Sequence, residues 1–332
     1  MKKILLILTG GTIGSRIDNN GNISPSSEPL LLNKCRSKLP ADIEFSVLEP
    51  LCVLSENMTL KDRESLIQEV LKADTNLYDG IIIAHGSDTI TYTASLTAMA
   101  LRHIEIPIVF IASDKVLSDP LSNGPDNFIS AVDFITDGVV KRGCYICYKD
   151  SVDRNAVYLA TRLCESEPIF DSFHSIDNTY FGTTENGKFI YNNHHLNPTI
   201  AEINKPKARI IPNDFKLKPI VSMLRSSPAF DYSRYNIKGL SAIVNYGYHC
   251  GTTPEKSFLK FAKDCNDENV EIWLASFKDP LAPIYDSLSQ ILSLPNVHRL
   301  YNISPEAAYS KILLAYSVNK SIINDNLFFE NL

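Results

Sequence analysis

Short apolar runs alternate along this chain with amphipathic stretches of helical length, and this alternation constrains the fold more than any other feature. The runs Ile4–Leu8, Ile81–Ala84 and Pro107–Ala112 have the length and composition of buried strands. A capping-box pattern over Thr59–Asp62 predicts the start of a helix after the first run. Alternation of this kind is typical of βαβ units. The sequence therefore predicts an α/β fold with a mostly parallel sheet.

The composition changes between residues 191 and 218, where Asn, His, Lys and Pro are frequent. We predict a linker there, with a larger α/β domain over residues 1–190 and a smaller α/β domain over residues 219–332. In the smaller domain, strands near 241–244 and 271–275 alternate with helical stretches. A chain of 332 residues is long enough for two domains that each bury a core.

Charge and hydropathy argue against two classes of ligand. The formal net charge is −6, and the densest cationic segment, Lys205–Lys218, is interrupted by prolines and acids. Nucleic-acid binding needs a clustered cationic face, so we expect no nucleic-acid partner. The first apolar run is too short for a secretory signal, and no stretch has the length of a membrane span. We therefore expect no membrane partner.

Seven cysteines, an odd number, are scattered along the chain. In a chain of this length they indicate a reduced, cytoplasmic protein rather than a disulfide framework. Cys144 and Cys147 have the spacing of a CxxC motif, but their segment resembles a strand. Strand positions i and i+3 face opposite ways, so this pattern favours structural cysteines over a redox or metal site.

Two polar, glycine-containing loops follow the first two clear strands directly: Thr9–Gly14 and His85–Thr89. The carboxyl ends of parallel strands meet at one edge of a sheet, so we expect both loops to face a shared cleft. Each loop could be only a tight turn, with Ser87 or Asp88 as a helix cap. A dinucleotide-binding loop is the weaker interpretation, because Thr9 occupies the first glycine position of that motif.

The residues of these loops suit acyl transfer. The Thr12 hydroxyl can act as a nucleophile, with the backbone amides of the neighbouring glycines as oxyanion donors. Gly11 and Gly86 are candidate substrate-binding residues. Ser87 and Asp88 add a second hydroxyl and a carboxylate that can hold an ammonium group or relay a proton. We predict that this chemistry needs neither a metal nor an organic cofactor.

Both loops resemble the signature motifs of the bacterial-type L-asparaginase family, also called asparaginase/glutaminase. Three further segments are similar to family motifs in the same order: Leu54–Thr59, Leu117–Asn127 and Ser304–Lys311. The resemblance implies hydrolysis of a side-chain amide to a carboxylate and ammonia. It also implies a flavodoxin-like C-terminal domain, no cofactor, and assembly as a homodimer or homotetramer.

The resemblance assigns roles to individual residues. Thr12 matches the primary nucleophile, and Ser87 stands where a second catalytic threonine is usual. Asp88 would hold the α-ammonium group of the substrate, and Ser55 would hold its α-carboxylate. Glu56 occupies a variable binding position, so the preference between asparagine and glutamine stays open.

The sequence departs from the family pattern at several positions. A later Thr-Arg-x-x-Lys motif appears here as Thr161–Glu165, which puts Glu165 in place of the lysine. An acid there would raise the pKa of a neighbouring carboxyl, and Lys115 is a candidate replacement for the lost cation. Gly21–Ile23 stands where the family often has a Gly-Tyr pair, and His249 lies in a turn that in the family reaches the partner subunit's site.

Three functions stay open on this basis. The first is hydrolysis of L-asparagine or a close relative, with Thr12 attacking and with Ser87, Asp88 and Glu165 as the catalytic residues around it. The second is hydrolysis of another amide, such as that of a D-amino acid, a modified side chain or a peptide. The exchange of lysine for Glu165 and the loop of His249 suggest it, since a cationic group of the substrate could pair with Glu165. The third is a non-catalytic protein that binds an amino acid.

Overall fold

The structure, a computed structural model, describes residues 1–17, 23–25, 30–167 and 169–332. The chain divides into two compact units, Met1–Phe215 and Lys216–Leu332. Residues 191–215 belong to the first unit, whereas the composition suggested a linker over residues 191–218.

Within the described residues, the first unit has ten strands: β1 (Lys2–Leu8), β2 (Ser15–Ile17), β3 (Ile23–Pro25), β4 (Ile43–Leu48), β5 (Gly80–Ala84), β6 (Pro107–Ile111), β7 (Gly143–Lys149), β8 (Asn155–Leu159), β9 (Gly182–Glu185) and β10 (Lys188–Tyr191). Its helices are α1 (Leu30–Cys35), α2 (Leu60–Lys72), α3 (Ile90–Ala100), α4 (Gly124–Asp137) and α5 (Ile200–Ile203). Eight strands form one sheet in the order β10-β9-β8-β7-β6-β5-β1-β4, and β2 pairs with β3.

The large sheet is parallel from β4 to β7 and antiparallel from β7 to β10. Every residue of β5 and β6 is buried, as expected for parallel strands that are covered on both faces. Strand β1 pairs with β4 along one edge and with β5 along its other edge. The direction in which strands are added to the sheet therefore reverses at β1. Open α/β sheets bind ligands at such a switch point, at the carboxyl ends of the strands.

Two local predictions are confirmed. Thr59 and Asp62 form a capping box, in which each backbone N–H donates to the other residue's side chain at 2.8 and 3.3 Å. Cys144 and Cys147 lie on opposite faces of β7: the first donates to Ala94 of α3, and the second contacts Ser130 of α4. Burial raises the pKa of the Cys147 thiol to about 12, so the pair is structural.

The second unit has a parallel sheet in the order β11-β12-β13-β14, with β11 (Val221–Arg225), β12 (Ala242–Tyr246), β13 (Glu271–Phe277) and β14 (Val297–Tyr301). Its helices are α6 (Glu255–Asp267), α7 (Asp286–Leu292) and α8 (Pro305–Ser317). The predicted α/β class is therefore confirmed, with a large, mostly parallel sheet and a separate, smaller parallel sheet. In the part of the chain that the structure describes, no helix is both long and apolar enough to span a bilayer.

Candidate active site

The loops that follow β1 and β5 are in backbone contact. Thr9 donates from both its N–H and its hydroxyl to the carbonyl of Ala84, at 3.1 and 2.9 Å. Gly11 has φ +71°, and a Cβ atom there would lie 2.5 Å from the Cα atom of Gly86. Only glycine fits this close approach without strain. The two predicted loops therefore lie side by side at the switch point.

A third segment joins them. The Gly11 N–H donates to the carbonyl of Val53 at 2.9 Å, and the Val53 N–H donates to Thr9 at 3.0 Å. Ser55 follows Val53 by two residues. It is buried, and its hydroxyl lies close to Gly86. The bond between Gly11 and Val53 corrects one expectation, because the N–H of Gly11 is already engaged. Gly11 thus serves the site through its missing side chain and not as an oxyanion donor.

Thr12 and Ser87 each open a short 3-10 turn, Thr12–Gly14 and Ser87–Thr89. Both side chains are partly exposed, while Ile13 is buried and fixes the first turn to the core. The sheet therefore presents two accessible hydroxyl groups at the carboxyl ends of neighbouring strands.

The carboxyl of Asp88 lies among groups that shift its pKa. Partial burial and the charge of Glu56 raise the pKa of Asp88, and a hydrogen bond with the Ser55 side chain opposes the rise. The sequence predicted that Glu165 raises the pKa of a neighbouring carboxyl; at Asp88 the like charge that raises the pKa is that of Glu56. Two neighbouring carboxylates favour a cationic group on the ligand, such as an ammonium.

Glu165 accepts a hydrogen bond from the hydroxyl of Tyr92, in the first turn of α3. Every other residue of α3 is buried, so Tyr92 is the residue of this helix whose side chain is partly exposed to solvent. Sequence reasoning missed Tyr92, although one large polar residue in a helix of small and apolar residues is a usable signal. The contact places Glu165 beside the helix that continues from the second loop.

His85 is a buried residue of the second loop and stabilises it through side-chain contacts. It is fully buried, its Nδ1 lies 2.8 Å from the carbonyl of Gly86, and its Nε2 lies 3.3 Å from the sulfur of Met58. Burial lowers the pKa of His85 to about 4, so the ring is neutral at pH 7. A carbonyl only accepts hydrogen bonds, so Nδ1 carries the proton. This histidine is a structural support and not a general base.

His249 and the segment Gly21–Ile23 were further candidates from the sequence. His249 is exposed in the second unit, in a turn closed by bonds from Tyr248 to Thr252 and from Gly251 to Tyr248, both 2.8 Å. Gly21 and Asn22, where the family often has its Gly-Tyr pair, lie outside the described residues. Among the residues that the structure describes, no group of three or more His, Cys, Asp or Glu side chains could hold a metal ion.

The sequence matches known proteins over most of its length. A family model described as "Asparaginase, N-terminal" matches residues 3–197. A protein of Methanococcus maripaludis, named as one of the subunits of glutamyl-tRNA(Gln) amidotransferase, is 28% identical over 290 residues, which is 81% of this chain. The chain spans 65% of the length of that relative.

Solved structures show the same fold over nearly the whole chain. The thermostable L-asparaginase from Thermococcus kodakarensis has a TM-score of 0.81 at 22% identity, and the match covers 99% of each chain. The probable cytoplasmic L-asparaginase from Campylobacter jejuni has a TM-score of 0.75 at 20% identity, covering 99% of this chain and 100% of that one. The resemblance of the two loops is confirmed by a family model that matches more than half of the residues, and the chain belongs to the asparaginase family.

Proposed function

We propose that this chain is an amidohydrolase that cleaves the side-chain amide of a small amino-acid substrate, with L-asparagine as the first candidate. The observation that carries this proposal is the contact of Gly11 with Gly86 at the switch point. It sets Thr12 and Ser87, the residues that follow the two glycines, on neighbouring strand ends.

In the proposed mechanism the Thr12 oxygen attacks the amide carbon, and its proton passes through the Ser87 hydroxyl to the leaving nitrogen, so ammonia departs. Water then hydrolyses the acyl ester, which regenerates the Thr12 hydroxyl and releases the carboxylate product. The oxyanion is stabilised by the first N–H groups of the turns Thr12–Gly14 and Ser87–Thr89, since these have no partner within their own turns. Asp88 and Ser55 bind the α-ammonium and α-carboxylate groups.

The first experiment measures ammonia release from L-asparagine, L-glutamine and D-asparagine by the purified protein. Thr12→Ala removes the nucleophile, so we expect kcat to fall by about 1,000-fold or more. Thr12→Ser keeps a hydroxyl and should retain measurable turnover. Circular dichroism checks that both variants are folded. Turnover that survives Thr12→Ala would show that another residue attacks the amide.

The pKa of Asp88, which is raised in the structure, predicts where kcat/KM falls on the acid side of its pH profile. The carboxylate form binds the ammonium group, so kcat/KM should fall as pH drops through the pKa of Asp88. Glu56→Gln removes a like charge, which lowers that pKa and moves the acid limb to lower pH. The control is Glu185→Gln, an exposed acid on β9, which should leave the limb in place. An unchanged limb in Glu56→Gln would refute the assigned coupling.

A second candidate is an amide other than that of free asparagine. Two observations favour it: Glu165, held by Tyr92, stands where the family has lysine, and a curated relative is named as part of an amidotransferase. The same assay on asparagine within a peptide and on D-asparagine separates this candidate from the first. A protein that is stabilised against heat by asparagine or aspartate but releases no ammonia would instead be a binding protein.

The quaternary and cellular expectations from the resemblance are also proposals. We propose a homodimer or homotetramer in the cytoplasm, with His249 reaching the partner's site. Sedimentation velocity tests the assembly. A strict monomer with full turnover would remove any role for His249 across an interface.

A further inference from the structure

Basic side chains from three separate segments gather at the amino edge of the large sheet, opposite the candidate active site. The turn after α3 carries Arg102 and His103, and the residues before β7 include Lys141 and Arg142. The third segment is Lys205–Arg209, which follows α5. The sequence shows these residues far apart, and the fold brings them to one end of the sheet.

Contacts between distant parts of the chain tie the three segments together. Pro107 pairs with Gly143, which sets the starts of β6 and β7 side by side. The Lys141 N–H donates to the Asn204 side chain at 2.8 Å. Burial lowers the pKa of His103 and the charge of Arg209 lowers it further, so these two side chains are also close. The cluster is therefore formed by tertiary contacts.

Arg142 is the central residue of this cluster. It is only 9% exposed, and its Nη2 atom lies 3.3 Å from the Glu105 carboxylate. Its Nε and Nη1 atoms are buried and have no hydrogen-bond partner among the described residues. These atoms carry three of the five N–H donors of a guanidinium. A buried charged donor without an acceptor is costly, so this arrangement indicates an acceptor that the described residues do not supply.

Two neighbouring side chains also have a buried nitrogen atom without a hydrogen-bond partner. Nε of Arg102 and Nδ1 of His103 are also buried without a partner in the part of the chain that the structure describes. Glu105 does not supply the missing partner, since its side chain is 71% exposed and contacts Arg142 through one nitrogen only. Among the described residues, three buried arginine nitrogen atoms thus lack an acceptor, and one buried histidine nitrogen atom lacks a partner.

We propose that Arg102, His103 and Arg142 form a binding site for a phosphate group, supplied as inorganic phosphate or as a phosphomonoester. A tetrahedral oxyanion has several acceptor oxygens and can accept hydrogen bonds from donors on several residues. Its charge also offsets the local positive charge of the two arginines. The site lies at the amino ends of β6 and β7, so it does not overlap the proposed amide site at the carboxyl ends of β1 and β5.

The test is titration of the full chain with sodium phosphate and with glycerol phosphate, against sodium chloride of matched ionic strength. Calorimetry gives the Kd, and thermal unfolding gives the shift in Tm. At ten times its Kd, phosphate should raise the Tm by about 3 °C or more. Arg142→Gln should weaken phosphate binding about 10- to 100-fold, because hydrogen bonds between charged partners are lost. Tighter binding of glycerol phosphate would identify a phosphomonoester as the ligand.

Controls keep the result interpretable if Arg142→Gln is poorly folded. Arg102→Gln alters a half-buried residue of the same site and should also weaken binding. Arg234→Gln removes an exposed charge in the second unit, so this variant should bind nearly as the original chain does. Equal stabilisation by phosphate and chloride would overturn the proposal. Phosphate binding that is undiminished in Arg102→Gln and Arg142→Gln would overturn it as well.

Discussion

Replacing Gly11 by alanine is expected to lower turnover about 100-fold, because a displacement of about 1 Å at a reacting group costs that much. The new Cβ atom would lie 2.5 Å from both the Cα and N atoms of Gly86, so one of the two loops must move. Gly11 also has φ +71°, a conformation that costs a residue with a side chain about 1–3 kcal/mol. We therefore expect lower stability together with the loss of activity.

Gly14→Ala is the matched control for this prediction. A Cβ atom at Gly14 would meet no heavy atom within 4 Å, although Gly14 lies in the same loop three residues further on. Ammonia release and urea unfolding should be compared for both variants on the best substrate. Equal effects of the two substitutions would show that close contact with Gly86 does not govern the position of Thr12.

Replacing Lys311 by methionine is expected to destabilise the second unit by about 3–5 kcal/mol, the usual cost of removing one partner of a buried ion pair. Lys311 is 3% exposed and lies 2.9 Å from the carboxylate of Glu330, which is fully buried. Glu330 also accepts the N–H groups of Leu327 and Phe328, at 2.8 and 2.7 Å. The substitution leaves a buried carboxylate without its cation, and the C-terminal segment loses its ion pair with α8.

Lys320→Met supplies the comparison. Lys320 also pairs with an acid, Glu271 at 2.8 Å, but its side chain is 56% exposed. An exposed pair contributes about 0–1 kcal/mol, so this variant should be nearly as stable as the original. Adding Glu330→Gln to Lys311→Met should restore part of the lost stability, since it removes the unpaired charge. Urea unfolding monitored at Trp273 reports on this unit directly, and equal losses in the two lysine variants would contradict the assignment.

Short-range patterns of the sequence predicted much of the fold. The apolar runs correspond to β1, β5 and β6, and the capping box at Thr59 opens α2. These features depend on neighbouring residues along the chain, so hydrophobic periodicity and capping chemistry reveal them. The side-by-side position of the loops at Gly11 and Gly86 was predictable for a related reason, because parallel strands end at a common edge.

Other features of the site depend on partners that are distant in sequence. Val53 takes the N–H of Gly11, Glu56 perturbs Asp88, and Tyr92 holds Glu165. No local pattern distinguishes Glu56 from other acids as the neighbour of Asp88, since that depends on where the third segment crosses the sheet.

Residue types and their order along the chain were sufficient to identify the two loops, their hydroxyl groups and the α/β class. Tertiary structure alone decided which backbone N–H groups are already engaged and which carboxylates lie close together. It also decided where buried donors, such as those of Arg142, lack an acceptor among the described residues. The physical reason is that periodicity and capping act within a few residues. Hydrogen-bond satisfaction and charge coupling instead depend on distances that only the packed chain establishes.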